Sequence, residues 1–238
     1  MPYTYLLINL GAIAIPFLFS FHPRLRFDRH WRATLIAIGV VGLIFILWDV
    51  RFTAMGVWWF NDDHVIGWDL LGLPIEEWIF FVCIPYACLF TYHCFGRLLP
   101  SRLLDQPSRI ISAVLVVACL VAGLSNLDKW YTGVTFTALG ITIAFVEWGL
   151  RPAWLTQFYI SYLVLILPFF IVNGLLTGTG LQEPVVLYND AENLGFRLLT
   201  IPVEDIFYGM LLILLNVAVL ERLRRGPVTG PPVAAGDS

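Results

Sequence analysis

Apolar residues occupy seven long stretches of the chain, at about 5–21, 33–48, 78–95, 110–127, 130–148, 153–175 and 201–220, with short polar segments between them. Several fall a little short of the ~20 residues that a bilayer core requires, but most extend into their flanks. The pattern predicts seven transmembrane helices, the fourth and fifth separated only by Ser125–Lys129. The first stretch lacks a basic leading region and a small-residue cleavage site, so it reads as a span and not as a cleavable signal.

The polar segments carry a repeat. Residues 60–80 read FNDDHVIGWDLLGLPIEEWIF and residues 188–208 read YNDAENLGFRLLTIPVEDIFY. At a constant offset of 128 they share Asn61/Asn189, Asp62/Asp190, Gly67/Gly195, Leu70/Leu198, Leu71/Leu199, Pro74/Pro202 and Glu76/Glu204. Glu77 faces Asp205, which keeps the carboxylate. Self-similarity of this kind decides the architecture. Helices 1–3 correspond to helices 5–7, and helix 4 has no counterpart. Three spans alone would invert the second copy; the extra span restores it, so the two copies are parallel. The expected fold is all-α and membrane-embedded. Residues 1–97 form a first three-helix repeat, 98–128 a linker with helix 4, and 129–225 a second repeat. The Pro/Gly/Ala-rich stretch 226–238 is expected to be disordered.

Composition agrees: 59% of residues are hydrophobic, 13% are charged and the mean hydropathy is +0.81. A soluble domain carries roughly twice that charge fraction. Charge placement sets the orientation. Eleven of the 14 basic residues (Arg24, Arg26, Arg29, Arg32, Arg97, Arg102, Arg109, Arg151, Arg222, Arg224 and Arg225) fall after helices 1, 3 and 5 or in the tail. Arg51, Lys129 and Arg197 fall on the other side. This predicts a cytoplasmic C-terminus and an outer N-terminus in a bacterial cytoplasmic membrane. Because topology accounts for the basic residues, no nucleic-acid partner is implied.

Both acidic motifs then share the outer face. Glu76 lies 21 residues before Arg97, about 31 Å at the helical rise, and Glu204 lies 18 residues before Arg222, about 27 Å. Pro74 and Pro202 suit a first helical position, and the acids following them suit the positive end of the helix dipole. One reading makes them ordinary helix-start residues. The other makes them functional, since ionisable groups at membrane depth are costly; the duplication favours it. Asn61, Asn189, Asp62 and Asp190 either orient these carboxyls or cap the turns.

Other candidates are plainer. Glu147 is expected to pair with Arg151 at i+4. The segment GLLTGTG at 174–180 lacks the context of a phosphate loop and reads as a connection. Cys83, Cys88, Cys94 and Cys119 show neither metal nor disulfide spacing. Histidine boxes and paired aspartate-rich motifs are absent from the sequence, and so is GxGxxG, so neither metal nor cofactor is expected. The only lysine, Lys129, lies in an outer loop and offers no anchor for a retinal Schiff base.

The stretch from Asn61 through Gly67 to PIEEWIFFVCIPYACLFTY resembles the first half of the small membrane-integral lycopene cyclases. GTGLQEPVVLYNDAENLGFRLLTIPVEDIFYGMLLILLNV resembles the second half, in the same order and with the linker span between. The resemblance implies a β-cyclase, an isomerase with no net redox change. It would convert the ψ-ends of lycopene into β-ionone rings, with γ-carotene and then β-carotene as products in the bilayer. A general acid protonates the terminal double bond and a base removes a ring proton. By match to the motif, Glu76 and Glu204 are the lead carboxyls, with Glu77 and Asp205 as partners; two carboxyls in contact can divide such roles. Phe80, Tyr208, Trp78 and Phe207 are expected to shield the cation, with Asn61 and Asn189 nearby, although rings here also suit an interfacial aromatic belt. Both motifs on one face imply one composite site. Two other readings are a carotenoid hydratase, in which water captures the same cation, and a proton-coupled transporter built from parallel repeats.

Overall fold

The computed structural model describes residues 1–100 and 108–224. The expected disordered tail lies outside the described residues, as do Arg102 and Arg225. Seven α-helices are described: α1 (Thr4–Phe19), α2 (Trp31–Ala54), α3 (Ile75–Leu98), α4 (Arg109–Leu124), α5 (Trp130–Ala144), α6 (Leu155–Leu176) and α7 (Val203–Arg224). A 3-10 turn, Phe27–His30, leads into α2, and a π-helical turn, Phe145–Leu150, extends α5. Counting these extensions, five helices are long and apolar enough to cross a membrane. The helices α1 and α4 are apolar but have 16 residues each, about 24 Å of rise.

The two helices that carry the acidic motifs lie at the centre. Helix α3 packs on α1, α2 and α6, and α7 packs on α2 and α5, with α3 and α7 in mutual contact. Their buried faces, including Phe81, Tyr86 and Leu89 of α3 and Leu211, Leu214 and Val217 of α7, join one core. The linker helix α4 lies against α5. The approach there is so close that a Cβ on Gly123 would stand 2.7 Å from the Thr137 backbone nitrogen. Small residues permit such a close approach of helices.

The connections hold structure that the hydrophobic pattern did not announce. Strand β1 (Trp58–Phe60) pairs antiparallel with β4 (Val186–Tyr188), with Trp58 opposite Tyr188. This pairing joins the two halves of the chain at the end where the acidic motifs begin. Each motif is preceded by a small hairpin: β2 (Asp69–Leu70) with β3 (Leu73–Pro74), and β5 (Arg197–Leu198) with β6 (Ile201–Pro202). Leu71 and Leu199 occupy corresponding hairpin tips at φ 57° and 59°, a left-handed conformation uncommon for a side chain of that bulk. Pro74 and Pro202 therefore end strands, each one residue ahead of the first helical residue rather than within it. The proline ring fits the strand because Pro74 takes φ −61°, ψ 146°.

One expected ion pair is replaced. Glu147 is buried in the π-helical turn and accepts hydrogen bonds from Ser108 Oγ (2.5 Å) and Ser112 Oγ (2.8 Å), with Arg109 Nε at 4.0 Å. Arg151 caps the turn at φ 49° and donates from Nε to the Trp148 carbonyl. The π turn breaks the i, i+4 spacing on which the pair depended.

Candidate active site

Adjacent acids in each motif face different ways, because neighbouring residues on a helix are about 100° apart. Glu76 turns back towards the loop before it. Its Oε1 accepts the Ile66 backbone N–H at 2.8 Å, and the Ile75 N–H reaches the Trp68 carbonyl at 2.8 Å. The second half repeats this at the same offset: Glu204 Oε1 accepts the Leu194 N–H at 2.8 Å, and Val203 N–H reaches the Phe196 carbonyl at 3.1 Å. Thr132 Oγ1 also donates to Glu204 at 2.6 Å. Both glutamates are fully buried, and among the described residues neither Oε2 has a hydrogen-bond partner.

Glu77 and Asp205 turn inward, into the walls of one cavity of 530 Å³. Tyr5 of α1 donates its hydroxyl to Glu77 Oε2. Asp205 accepts three hydrogen bonds: Tyr131 Oη at 2.5 Å, Asn173 Nδ2 at 2.6 Å and Tyr188 Oη at 3.0 Å. Asp49 of α2, only 3% exposed, lines the same cavity beside Glu77. Burial first, then Asp205 and more distantly Glu77 and Asp49, hold the Tyr188 hydroxyl well above the usual tyrosine range, so it stays a donor.

Aromatic rings enclose the acids. Trp58 packs against Tyr131 (5.1 Å between centroids), Tyr188 (6.2 Å) and Tyr208 (6.3 Å), and Tyr208 sits between Phe45 (5.1 Å) and Trp48 (5.3 Å). The Tyr208 hydroxyl is buried and lacks a hydrogen-bond partner among the described residues. Below the rings the wall is chiefly aliphatic and follows α3 from Glu77 to Thr91, 14 residues or about 21 Å. Gly11 and Ile15 of α1 and Pro168 and Ile171 of α6 line the cavity while remaining exposed on the bundle's outside. The cavity thus opens sideways between α1 and α6. Lys, Arg and His are absent from its described lining.

Of the expected site residues, Glu77, Asp205, Phe80 and Tyr208 line the cavity, and Glu76 and Glu204 stand behind it on the loop side. Trp78 faces elsewhere: its Nε1 donates to the Leu70 carbonyl at 3.2 Å, and its ring lines a second apolar hollow with Gly39 and Gly42. Phe207 packs on Phe136 at 4.5 Å. Asn61 and Asn189 accept from the backbone N–H two residues on, Asp63 and Ala191, and so close turns. Asp62 and Asp63 are exposed on a 3-10 turn. His93 lies at the other end of α3, bonded to the Leu25 carbonyl and facing Arg224.

Asp49, Tyr5, Tyr131, Tyr188 and Asn173 escaped the sequence reading. Asp49 had a signal, an ionisable side chain at the edge of the apolar run 33–48. Tyr5 and Tyr131 play equivalent parts but lie 126 residues apart, so the 128-residue register does not pair them.

Comparison with known proteins points one way. A family model described as lycopene cyclase matches residues 2–95 and 128–223. A bifunctional lycopene cyclase/phytoene synthase from Aspergillus niger (strain ATCC MYA-4892 / CBS 513.88 / FGSC A1513) is 29% identical over 133 residues, which is 53% of this chain. The chain spans only 22% of that relative's length. No solved structure matches it significantly.

Proposed function

The chain belongs to the lycopene cyclase family, and from that premise we propose that it is an isomerase closing the ψ-ends of lycopene to β-ionone rings. The products are γ-carotene and then β-carotene, and the chemistry is acid–base without redox change. One observation carries the reading: a carboxyl from each half of the chain, Glu77 and Asp205, lines a single apolar cavity beneath a cage of aromatic rings. The reaction needs a proton donor in a dry site, a nearby acceptor, and walls that neither quench nor hydrate a carbocation. The lining offers each.

The roles divide by environment. Asp205 receives three hydrogen bonds, against one from a side-chain hydroxyl on Glu77. Donors of that number favour the ionised form, which makes Asp205 the better acceptor and Glu77 the better donor. The faces of Trp58, Tyr131 and Tyr208 stabilise the cation by their quadrupoles. Glu76 and Glu204 act from behind, fixing the loops over the cavity. The opening between α1 and α6 admits a long apolar polyene from the hydrocarbon and lets its far end rest in lipid. Each end of lycopene then enters the same composite site in turn. A largely aliphatic and aromatic wall favours ring closure over capture of the cation by water.

In the membrane, α1 to α7 form seven spans, with residues 1–97 and 129–225 as parallel repeats. The acidic motifs lie at the outer face and the C-terminus in the cytoplasm. The exposed Trp68, Leu71, Phe196 and Leu199 of the hairpins suit the interface.

Pigment analysis of a lycopene-accumulating bacterial host expressing the chain tests the function. Conversion to γ- or β-carotene is expected. Unchanged lycopene beside well-folded membrane protein overturns the reading, and hydroxylated acyclic carotenoids would transfer it to hydration.

A further inference from the structure

We infer that Asp49 is a positioning residue that forms with Glu77 a two-carboxyl unit sharing one proton, and that this proton is the one given to the substrate. The inference rests on the cyclase reading above for the fate of the proton, but not for the existence of the pair. Asp49 is buried, lines the cavity and neighbours Glu77, and its Oδ2 has no hydrogen-bond partner among the described residues. No described ion pair involves either residue. Local helix chemistry does not explain it, because an acid near the C-terminal end of α2 opposes the helix dipole.

The groups facing the pair are Tyr5 from α1, Trp58 from β1, Tyr188 from β4 and Tyr208 from α7, with Asp205 elsewhere in the lining of the same cavity. None is cationic. Two neighbouring carboxyls in such surroundings cannot both ionise cheaply, so the pair retains a proton and titrates as a unit. The unpartnered Tyr208 hydroxyl lies within electrostatic reach of Asp49, Glu77 and Asp205.

The proton balance closes. The shared proton adds to the CH carbon of the terminal double bond, leaving a tertiary cation at the dimethyl carbon. An inner double bond supplies the electron pair that closes the six-membered ring and carries the charge to a ring carbon. Asp205 takes a neighbouring ring proton, whose C–H electrons become the new double bond. Asp205 then releases the proton it has taken, and the pair takes one up, which resets the site. One proton enters and one leaves, so the product is an isomer.

The test uses the full-length protein in detergent micelles containing lycopene, as wild type, Asp49→Asn and Asp49→Glu. Asp49→Asn should lose roughly 100-fold at neutral pH and recover as the pH falls, because Glu77 alone must then be protonated from solution. Asp49→Glu should restore most of the activity and the wild-type profile. Infrared titration supplies a readout independent of turnover: a protonated-carboxyl C=O band present at neutral pH in wild type should be lost in Asp49→Asn. Should that variant not fold, Glu77→Gln is expected to remove the same band. An unaltered pH profile in Asp49→Asn, whether activity is full or uniformly reduced, overturns the inference, as does an unchanged band. If wild type leaves lycopene untouched, the cyclase reading falls and the infrared result still decides whether the pair shares a proton.

Discussion

Glu76 and Glu77 differ by one position and by everything that matters to their chemistry. Glu76, like Glu204, is bound to a backbone N–H ten residues upstream, whereas Glu77, like Asp205, faces the cavity. Removing the tether leaves a buried donor unpaired, at a cost of about 1–3 kcal/mol. Glu204→Ala should therefore lower the thermal midpoint in detergent, while Glu204→Gln, which keeps an acceptor at Oε1, should lower it less. Equal midpoints for Glu204→Ala and wild type would show that the tether holds nothing. Tyr208 makes a different prediction, because its ring faces Trp48, Phe45 and Trp58 while its hydroxyl bonds to none of the described residues. Tyr208→Leu should slow turnover about tenfold, the equivalent of ~1.4 kcal/mol of lost cation–π attraction, with the protein still folded. Turnover at the wild-type rate would remove Tyr208 from the cation's surroundings. The acids were legible at this scale because they are duplicated. Asp49 was not: it occurs once, at the margin of an apolar run, and only the packing of α2 on α3 reveals its neighbour.

Helices were the easy elements to read, since runs of apolar residues and the arginines that end them mark each one. The strands were hidden by their length: three residues of Trp58–Phe60 and three of Val186–Tyr188 carry no periodicity, and their pairing depends on partners 126 to 130 residues away. The hairpins were half visible. The repeat exposed their matching positions, but Leu71 and Leu199 in left-handed conformation contradict the usual preference for glycine there. Helix α4 shows how tightly an element without a counterpart can be fitted. A methyl group added at Gly123 would meet the Thr137 side chain and also its backbone nitrogen, which cannot withdraw without moving α5. Gly123→Ala should cost about 1–3 kcal/mol by overpacking and lower the thermal midpoint, whereas Gly39→Ala, with nothing within 4 Å of the added carbon, should not. Similar midpoints for the two variants would contradict the close approach of α4 and α5.

The whole molecule is organised by the meeting of its halves: β1 pairs with β4, α3 packs on α7, and each half sends one carboxyl into the common cavity. The proposed orientation is open to direct labelling, since the four native cysteines are buried or half-buried. Asp63→Cys, exposed beside the hairpins, should react in intact cells with a membrane-impermeant maleimide. Arg24→Cys, at the other end, should react only after the cells are opened, and the reverse pattern would invert the topology. That the chain is helical and has two related regions was readable from its apolar runs and its repeat. A composite site was an expectation from both motifs sharing a face, and the cavity lined by Glu77 and Asp205 is what supports it. The most direct test takes Glu77→Gln and Asp205→Asn singly, at equal folded levels, and follows lycopene into monocyclic and bicyclic products. Each variant alone should block the first ring closure, leaving lycopene. If either variant halts only the second ring and lets γ-carotene accumulate at the wild-type rate, the halves act separately and the composite site is wrong.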